Sequence, residues 1–316
     1  MRIIVAASGE FAVPSLRCLS NSDHEIAFVL TQPDRVAGRG RKTKPTPVRE
    51  AAEHYGLKVI PTDDINSAEI LERVKAAQAR VGVVAAFGQK IGPDLLEAMP
   101  GGWVNLHASL LPAYRGASPI HRAVLDRQAE SGVTVFRLVQ RMDAGPILVT
   151  RRTAIKPEET TDELHDRLAR VACDAIKVTL DMFEDGIPDG IPQDESLVTK
   201  APKLRKEDGR IDFSRTTEEV AAHILGMWDW PGASCRFVSA DGKRNERVIL
   251  ARARPAETTA KPTDGATPGQ IGEQLYVATG DGFLELLEIK PESGHVMPWP
   301  DFVNGRHVQA GDRFES

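Results

Sequence analysis

The sequence predicts an α/β protein, with a Rossmann-like, mostly parallel sheet in an N-terminal domain and a small OB-like β-barrel in a C-terminal domain. Three observations lead to this prediction. Residues 1–185 alternate short apolar runs with amphipathic stretches, which is the pattern of strand–helix units. Beyond a turn-rich segment, short strands separated by Gly and Asp turns dominate. The length of 316 residues also suits two domains, although length alone would equally allow one large α/β domain.

Seven short segments predict the strands of the N-terminal domain. Several are apolar almost throughout, such as Val-Gly-Val-Val-Ala-Ala-Phe at 81–87, which is typical of a strand covered on both faces. Strands of this kind run parallel and are joined by helices. We expect them at 2–7, 25–31, 58–60, 81–87, 104–108, 133–139 and 147–153.

Three cap sequences predict where helices of this domain begin. A Thr-Pro and a Ser-Pro pair each place a capping residue before a proline at the first helical position. A Thr-x-x-Glu capping box precedes the longest stretch with helical periodicity. The caps lie at 46–47, 118–119 and 160–163, ahead of helices over 48–55, over 120–125 and up to 183.

The pattern changes after residue 185. A turn-rich stretch over 185–192 and a basic stretch over 200–210 predict a connection between two domains. We place the N-terminal domain at 1–187, a basic linker at 188–208 and the C-terminal domain at 209–316. The last domain should contain one helix over 217–228, strands at 234–239, 247–254, 270–271, 275–279 and 283–289, and a Gly-Asp-Gly hairpin turn at 280–282.

Composition excludes several classes of protein. Hydrophobic residues make up 41% and charged residues 27%, as in an ordinary soluble globular protein. No apolar run approaches the roughly 18 residues of a membrane-spanning helix, so we expect no membrane association. Three widely spaced cysteines predict neither a disulfide framework nor a thiolate metal site, which favours a reducing cytoplasm. The formal net charge of −5 argues against a general nucleic-acid coat protein.

The strand at 104–108 carries the residues most suggestive of chemistry. Two-residue periodicity places Asn105 and His107 on one face at its carboxyl end, where open α/β sheets bind their ligands. An amide and an imidazole together can stabilise a carbonyl oxygen that becomes negative. Asp143 follows a later strand and could orient the imidazole or accept a proton. Spacing alone leaves a hydrogen-bonded structural pair and a simple turn aspartate as alternatives.

A longer sequence around these residues resembles the folate-dependent formyltransferases. The resemblance rests on Asn-Leu-His-x-Ser-Leu-Leu-Pro-x-Tyr-Arg-Gly-Ala at 105–117 and on Asp-x-Gly at 143–145. It implies that Asn105, His107 and Asp143 form the catalytic set and that 10-formyltetrahydrofolate is the co-substrate; we expect no metal. It also implies a folate pocket lined by the end of an earlier strand and by the Ser-Leu-Leu-Pro turn. The residues concerned are Phe87, Gly88, Ser109, Leu110, Leu111 and Pro112.

A basic loop after the second strand resembles the insertion loop of the formyltransferases that act on methionyl-tRNA. It reads Gln-Pro-Asp-Arg-Val-Ala-Gly-Arg-Gly-Arg-Lys at 32–42. Arginine and lysine neutralise phosphates, and glycine allows the backbone to approach them closely. A solvated charged loop is the alternative that the residues alone leave open. Together with the linker, the candidate tRNA-contacting residues are Arg35, Arg39, Arg41, Lys42, Lys44, Lys203, Lys206 and Arg210.

The resemblance continues to the C-terminus through Trp-Pro-Gly-Ala at 230–233 and Asp-Phe-x-Asn-Gly at 301–305. It implies formyl transfer to the α-amino group of methionyl-initiator tRNA for translation initiation, with a C-terminal barrel that binds tRNA. We expect a cytoplasmic monomer. Three alternatives remain: a formyltransferase for an amino-sugar nucleotide, which should lack the basic loop; a glycinamide ribonucleotide formyltransferase, which has no second domain; and a non-catalytic RNA- or folate-binding protein.

Overall fold

The computed structural model of the chain describes residues 1–37, 42–258 and 267–316. Two of the predicted tRNA-contacting residues, Arg39 and Arg41, lie outside the described residues. The chain divides into two compact units, and the second unit includes two segments from within the predicted N-terminal domain. The predicted domain bounds at 187 and 208 stay predictions. The first unit comprises Met1–Pro119, Glu130–Thr153 and His165–Ala201, and the second comprises Ile120–Ala129, Ala154–Leu164 and Pro202–Ser316.

The described residues form eight α-helices and seventeen strands. None of these helices has both the length and the apolar character needed to cross a membrane. The helices are α1 (Val13–Ser20), α2 (Pro47–His54), α3 (Ala68–Ala76), α4 (Pro93–Leu96), α5 (Pro119–Leu125), α6 (Thr161–Asp185), α7 (Thr217–Met227) and α8 (Trp299–Arg306). The strands of the first unit are β1 (Arg2–Ala7), β2 (Glu25–Thr31), β3 (Arg35–Ala37), β4 (Lys42–Lys44), β5 (Val59–Pro61), β6 (Val81–Ala85), β7 (Trp103–His107), β8 (Arg115–Gly116), β9 (Glu130–Arg137), β10 (Ile147–Ala154, which ends at the unit boundary) and β11 (Lys200–Ala201). Those of the second unit are β12 (Ala233–Val238), β13 (Asn245–Pro255), β14 (Val277–Ala278), β15 (Phe283–Pro291), β16 (Met297–Pro298) and β17 (Arg313–Glu315).

The first unit is built on a seven-stranded sheet of order β10-β9-β7-β6-β1-β2-β5. Strand β1 pairs in parallel with β2 and with β6, and the β2–β5 and β6–β7 pairs are also parallel. The β7–β9 pair is antiparallel. The predicted Rossmann-like, mostly parallel sheet is therefore confirmed. Strand β7, which carries the candidate catalytic residues, lies inside the sheet between β6 and β9.

Two of the predicted helix caps form as the sequence indicates. Thr46 Oγ1 accepts a hydrogen bond from Arg49 N at 3.1 Å, and α2 begins at Pro47. At the start of α6, Thr160 N donates to Glu163 Oε2 at 2.9 Å, and Glu163 N donates back to Thr160 Oγ1 at 3.3 Å. Such caps satisfy N–H groups that have no partner within the first helical turn.

The packing between β6 and β7 explains why β6 contains a glycine, Gly82, among larger apolar residues. The indole of Trp103 on β7 lies directly against Gly82 on β6, where a Cβ atom would overlap the ring. Trp103 is fully buried, and its Nε1 donates to Leu95 O at 2.7 Å. A side chain at position 82 would push the indole away from this hydrogen bond.

The second unit is an antiparallel sheet of order β14-β15-β13-β12-β17, with β16 beside β15. Gln270 forms a bridge to Arg313 on β17, and Ile271 forms one to Val277 on β14, so a single segment links the two edge strands. The sheet is thereby nearly closed, which confirms the predicted C-terminal β-barrel. Aromatic rings pack in its core: Phe237, Trp299, Phe302 and Phe314.

Several predicted elements differ from those observed. Residues 270–271 form isolated bridges instead of a strand, and the strand predicted at 275–279 shortens to β14. Leu275 has a φ of +60°, which interrupts an extended backbone. The bounds of the predicted linker at 188–208 stay predictions; residues 188–201 lie in the first unit, where β11 pairs in parallel with β8.

The expectation that the cysteines form no disulfide is wrong. The sulfur atoms of Cys18 on α1 and Cys173 on α6 lie at bonding distance, and their Cα atoms are 5.9 Å apart. The two residues are 155 positions apart in the sequence, so no spacing motif could indicate the pair. Cys235 is a free, buried cysteine, and burial raises the pKa of its thiol.

Candidate active site

Strand β7 carries two of the predicted catalytic side chains. Asn105 and His107 alternate with the buried Val104 and Leu106, so both project to the same side of the sheet. His107 is 6% exposed, and its ring packs edge-on against Phe136 of the neighbouring β9. Asn105 is half-buried, and its side-chain amide has no hydrogen-bond partner in the described part of the chain. This amide is therefore available to a ligand.

Asp143 approaches His107 from the loop between β9 and β10. Its Oδ2 atom lies 3.9 Å from His107 Nδ1, and both side chains are largely buried. The same oxygen accepts a hydrogen bond from Gly116 N at 2.9 Å, which fixes the carboxylate. The separation of 3.9 Å exceeds a direct hydrogen bond and suits one bridging polar group. The structure thus brings His107 and Asp143 together beside the strand that carries Asn105.

The tautomer of His107 follows from its other ring nitrogen. Nε2 lies 2.9 Å from the carbonyl oxygen of Tyr114. A carbonyl oxygen can only accept a hydrogen bond, so Nε2 carries a proton and, in the neutral ring, Nδ1 holds the lone pair. Nδ1 is therefore the nitrogen left for chemistry, and it is the one that faces Asp143.

The groups around His107 can together serve an acyl transfer. The Asn105 amide and a protonated Nδ1 can donate hydrogen bonds to an oxygen that gains negative charge. The Asp143 carboxylate can accept a proton. Across the three described ranges, no group of three or more His, Cys, Asp or Glu side chains is placed to hold a metal ion.

The Ser-Leu-Leu-Pro turn is held against β9. Ser109 is 1% exposed, and its hydroxyl donates to Ala113 O at 2.6 Å. Thr134 Oγ1 on β9 donates to Ser109 O at 2.7 Å and accepts from Leu111 N at 3.1 Å. Ser109 and the buried Leu111 thus maintain the turn. The half-buried residues of the turn, whose side chains can reach a ligand more readily, are Leu110 and Pro112.

In the loop after β6, backbone groups are the ones that can face a ligand, because the side chain of Phe87 packs inward. The Phe87 side chain is 2% exposed and belongs to the hydrophobic core. Its carbonyl oxygen accepts a hydrogen bond from Gln32 Nε2 at 2.7 Å. Gly88 has a φ of +81°, and a Cβ atom there would lie 2.5 Å from the same amide nitrogen. The left-handed backbone favours glycine at this position, and a Cβ atom would displace the Gln32 amide from its hydrogen bond to Phe87 O.

Three of the predicted tRNA-contacting residues belong to the hairpin of β3 and β4. In this hairpin Arg35 pairs with Lys44, and Ala37 pairs with Lys42. Lys44 is exposed. The residues are therefore close in the fold, and their contact with RNA stays a prediction.

The other predicted tRNA-contacting residues, Lys203, Lys206 and Arg210, are exposed in the second unit. Lys206 and Arg210 line an open depression together with Arg236 and Arg247, which the sequence analysis did not single out. Arg236 and Arg247 are directly opposite on β12 and β13. Glu207 and Ser316 line the same depression, and Arg247 Nη1 lies 4.0 Å from Glu292 Oε1, so part of this positive charge is balanced.

Sequence reasoning also missed two residues that hold the site. Gln193 Nε2 donates to Asp143 O at 2.8 Å, and Thr199 Oγ1 accepts a hydrogen bond from Tyr114 N at 2.8 Å. Both residues lie in the predicted linker and contact backbone atoms. No side-chain motif signals contacts of this kind, so the sequence alone offered no means of finding them.

Comparison with known proteins gives one family for both parts of the chain. Residues 1–180 match the formyl transferase family, and residues 203–307 match the formyl transferase C-terminal domain. The methionyl-tRNA formyltransferase of Heliobacterium modesticaldum is 39% identical, with 99% of this chain and 100% of that protein covered. That of Moorella thermoacetica is 37% identical, with 99% and 98% covered.

Solved structures share the fold at lower sequence identity. An N-formyltransferase from Helicobacter canadensis, in complex with folinic acid and dTDP-3-aminofucose, aligns with a TM-score of 0.64 and 16% identity, covering 92% of this chain and 98% of that one. The sugar 3N-formyl transferase WlaRD aligns with a TM-score of 0.63 and 17% identity, covering 93% and 99%. A variant of HypX from Aquifex aeolicus aligns over 98% of this chain with a TM-score of 0.63 and 17% identity, and this chain spans 50% of it.

Proposed function

The chain belongs to the formyltransferase family, and from this membership we propose that it transfers the formyl group of 10-formyltetrahydrofolate to the α-amino group of methionyl-initiator tRNA. The product, N-formylmethionyl-tRNA, serves translation initiation. Identities of 35–39% over essentially the whole chain to relatives named methionyl-tRNA formyltransferase support this acceptor. The structural observation that carries the proposal is the 3.9 Å approach of Asp143 Oδ2 to His107 Nδ1, beside the strand that bears Asn105.

The reaction begins with a neutral amine. Free α-amino groups have pKa values of about 7.7–8.0, so part of the acceptor is neutral near pH 7. Attack of its nitrogen on the formyl carbon forms a tetrahedral oxyanion. The Asn105 amide donates a hydrogen bond to this oxygen, and the imidazolium form of His107, with Nε2 engaged by Tyr114, donates through Nδ1.

Asp143 serves the proton transfers of the reaction. Its carboxylate orients and polarises His107, and it accepts the proton of the attacking amine directly or through one water. The bond between the formyl carbon and N10 of the folate then breaks. The proton that Asp143 accepted passes to N10, so the products are the N-formylated acceptor and tetrahydrofolate. Holding the amine and the formyl carbon in the orientation for this attack supplies much of the rate.

We propose that the folate binds between the loop that follows β6 and the turn that follows β7. The half-buried Leu110 and Pro112 would contact it through their side chains, and the backbone at Phe87 and Gly88 would contact it through its polar groups. Ser109 and Leu111 would act by keeping the turn in shape. Every group here acts on a substrate, and we propose that the reaction needs no metal.

The tRNA is proposed to contact exposed basic residues. Lys44 on the β3–β4 hairpin and the basic depression of the second unit offer charges to phosphates, and Arg236 and Arg247 enlarge the predicted set. We further propose that the protein is a monomer in the cytoplasm.

A competition assay tests the proposed function. Purified protein is given 10-formyltetrahydrofolate with methionyl-initiator tRNA and a UDP-amino sugar as competing acceptors, at two salt concentrations. We expect formylation of the tRNA, a steep decrease with salt and loss of activity in His107→Ala. Turnover on the sugar alone would contradict the acceptor, and turnover on neither would contradict the reaction.

A further inference from the structure

A segment that follows α6 contacts two loops near His107, the loop that carries Asp143 and the turn that carries Tyr114. We call residues 191–201 the return segment. At its start, the backbones of Ile191 and Ile147 exchange two hydrogen bonds of 2.8 Å. At its end, β11 pairs with β8, and Arg115 N donates to Thr199 O at 2.9 Å. The return segment is therefore attached both to the strand after the Asp143 loop and to the turn after His107.

Gln193 attaches the return segment to the Asp143 loop. Its Nε2 atom donates to Asp143 O and to Gly145 O, each at 2.8 Å. Asp143 has a φ of +50°, which is an unfavourable backbone conformation for a residue with a Cβ atom. Two hydrogen bonds from one amide stabilise this conformation, and the conformation determines where the carboxylate lies.

The orientation of the Gln193 amide is fixed by Arg115. Arg115 is 7% exposed, and its Nη2 and Nε atoms donate to Gln193 Oε1 at 2.7 and 3.1 Å. Because the amide oxygen faces the guanidinium, the NH₂ group must face the two carbonyl oxygens. Arg115 also donates to Glu195 Oε1 at 2.9 Å, and this hydrogen bond holds the pKa of Glu195 below its usual value.

Thr199 attaches the return segment to the group that orients His107. Tyr114 N donates to Thr199 Oγ1 at 2.8 Å. Tyr114 has a φ of +61°, again in the left-handed region, and its carbonyl oxygen receives the hydrogen bond from His107 Nε2. The hydroxyl of Thr199 thus stabilises the peptide geometry that keeps Nδ1 of His107 toward Asp143.

We propose that the return segment positions both reacting groups, with Gln193 setting the Asp143 carboxylate and Thr199 setting the His107 ring. This inference rests on the proposed function for its kinetic consequence and on the hydrogen bonds alone for its geometry. Gln193 and Thr199 are positioning residues, since they act through the backbones of Asp143 and Tyr114. The segment predicted as a linker is thereby part of the active-site framework.

Two pairs of variants test the proposal kinetically. Thr199→Val removes the hydroxyl acceptor and should lower kcat on the order of 10-fold with KM for 10-formyltetrahydrofolate unchanged, because orientation is lost while binding is kept. Thr199→Ser retains the hydroxyl and should restore kcat. Gln193→Met removes both donors and should also lower kcat. Gln193→Glu should lower it further, because a carboxylate would then face two carbonyl oxygens.

The tautomer of His107 provides a readout independent of turnover. In ¹⁵N-histidine spectra recorded where the ring is neutral, the full chain should show His107 protonated at Nε2. Thr199→Val should give a mixture of tautomers, and Thr199→Ser should not. As a matched control, Thr279→Val removes another buried threonine hydroxyl that holds a backbone turn, through Gly282 O at 2.9 Å, and should alter stability without altering kcat.

The outcomes separate the two proposals. A lowered kcat and a changed tautomer in Thr199→Val, rescued by serine, would support positioning. Wild-type kcat and an unchanged tautomer in Thr199→Val would overturn it. If the wild-type protein formylates no acceptor, the proposed function fails, while the spectra of the same variants still decide the geometry. If Thr199→Val does not fold, the Gln193 variants test the proposal instead. A kcat that is lower than wild type in Gln193→Met, and lower again in Gln193→Glu, would support it. Wild-type kcat in both variants would overturn it.

Discussion

Replacing Thr134 with valine should destabilise the Ser-Leu-Leu-Pro turn by a calculable amount. Thr134 is fully buried on β9, and its hydroxyl makes two hydrogen bonds, to Ser109 O and from Leu111 N. Valine has nearly the same shape, so the change removes the hydrogen bonds without leaving a cavity. Each buried backbone group left without its partner costs about 1–3 kcal/mol, so Thr134→Val should lower the free energy of unfolding by about 2–6 kcal/mol.

Urea denaturation measures this loss, and Thr179→Val is its matched control. Thr179 is equally buried, but its hydroxyl donates to Ala175 O within α6, where the helical hydrogen bond to that oxygen remains. The free energy of unfolding of Thr179→Val should therefore decrease only slightly. Thr134→Val should also raise KM for 10-formyltetrahydrofolate, because the turn proposed to contact it loses its attachment. Equal midpoints for the two variants would refute the reasoning.

Three further predictions concern the chemistry, the RNA and the second unit. Asn105→Ala should lower the single-turnover rate of formyl transfer by about 10²–10³, the effect of losing one oxyanion donor, and an unchanged rate would remove Asn105 from the mechanism. Combined Lys206→Ala and Arg210→Ala should reduce the slope of log K for tRNA against log salt by about one per residue, whereas Lys243→Ala, whose ammonium pairs with an aspartate in the same unit, should not. Burial lowers the pKa of His223, so the unfolded chain binds more protons and the free energy of unfolding should decrease as pH falls below about 6.5. His223→Gln should flatten this pH dependence in urea denaturation, and an unaltered slope would assign the dependence to other groups.

Much of the fold could be predicted because burial leaves a clear pattern. The strands at Arg2–Ala7 and Glu25–Thr31 match their predicted bounds, since both are apolar runs bordered by turn or polar residues. Very short strands were missed, because two or three residues such as Arg115–Gly116 and Lys200–Ala201 carry no periodicity. Their pairing depends on tertiary contacts that a local pattern does not contain.

The candidate site was predictable only in part, for a related reason. His107 and Asp143 were predicted from the motifs at 105–117 and 143–145, and the structure places them 3.9 Å apart; their catalytic roles stay predictions. Gln193 and Thr199 hold backbone atoms of other loops, and any residue with a suitable donor or acceptor could do so. Phe87 lies in a matching motif, but its side chain packs into the core, because a motif does not indicate which part of a residue faces a ligand.

The most direct test of the central claim is the single-turnover rate of formyl transfer to methionyl-initiator tRNA in wild type and Asp143→Asn. The asparagine keeps an oxygen for Gly116 N and removes the negative charge that faces His107. We predict rapid transfer by the wild type and a rate lower by about 10²–10⁴ in Asp143→Asn, with tRNA affinity unchanged. Equal rates in the two proteins would contradict the account.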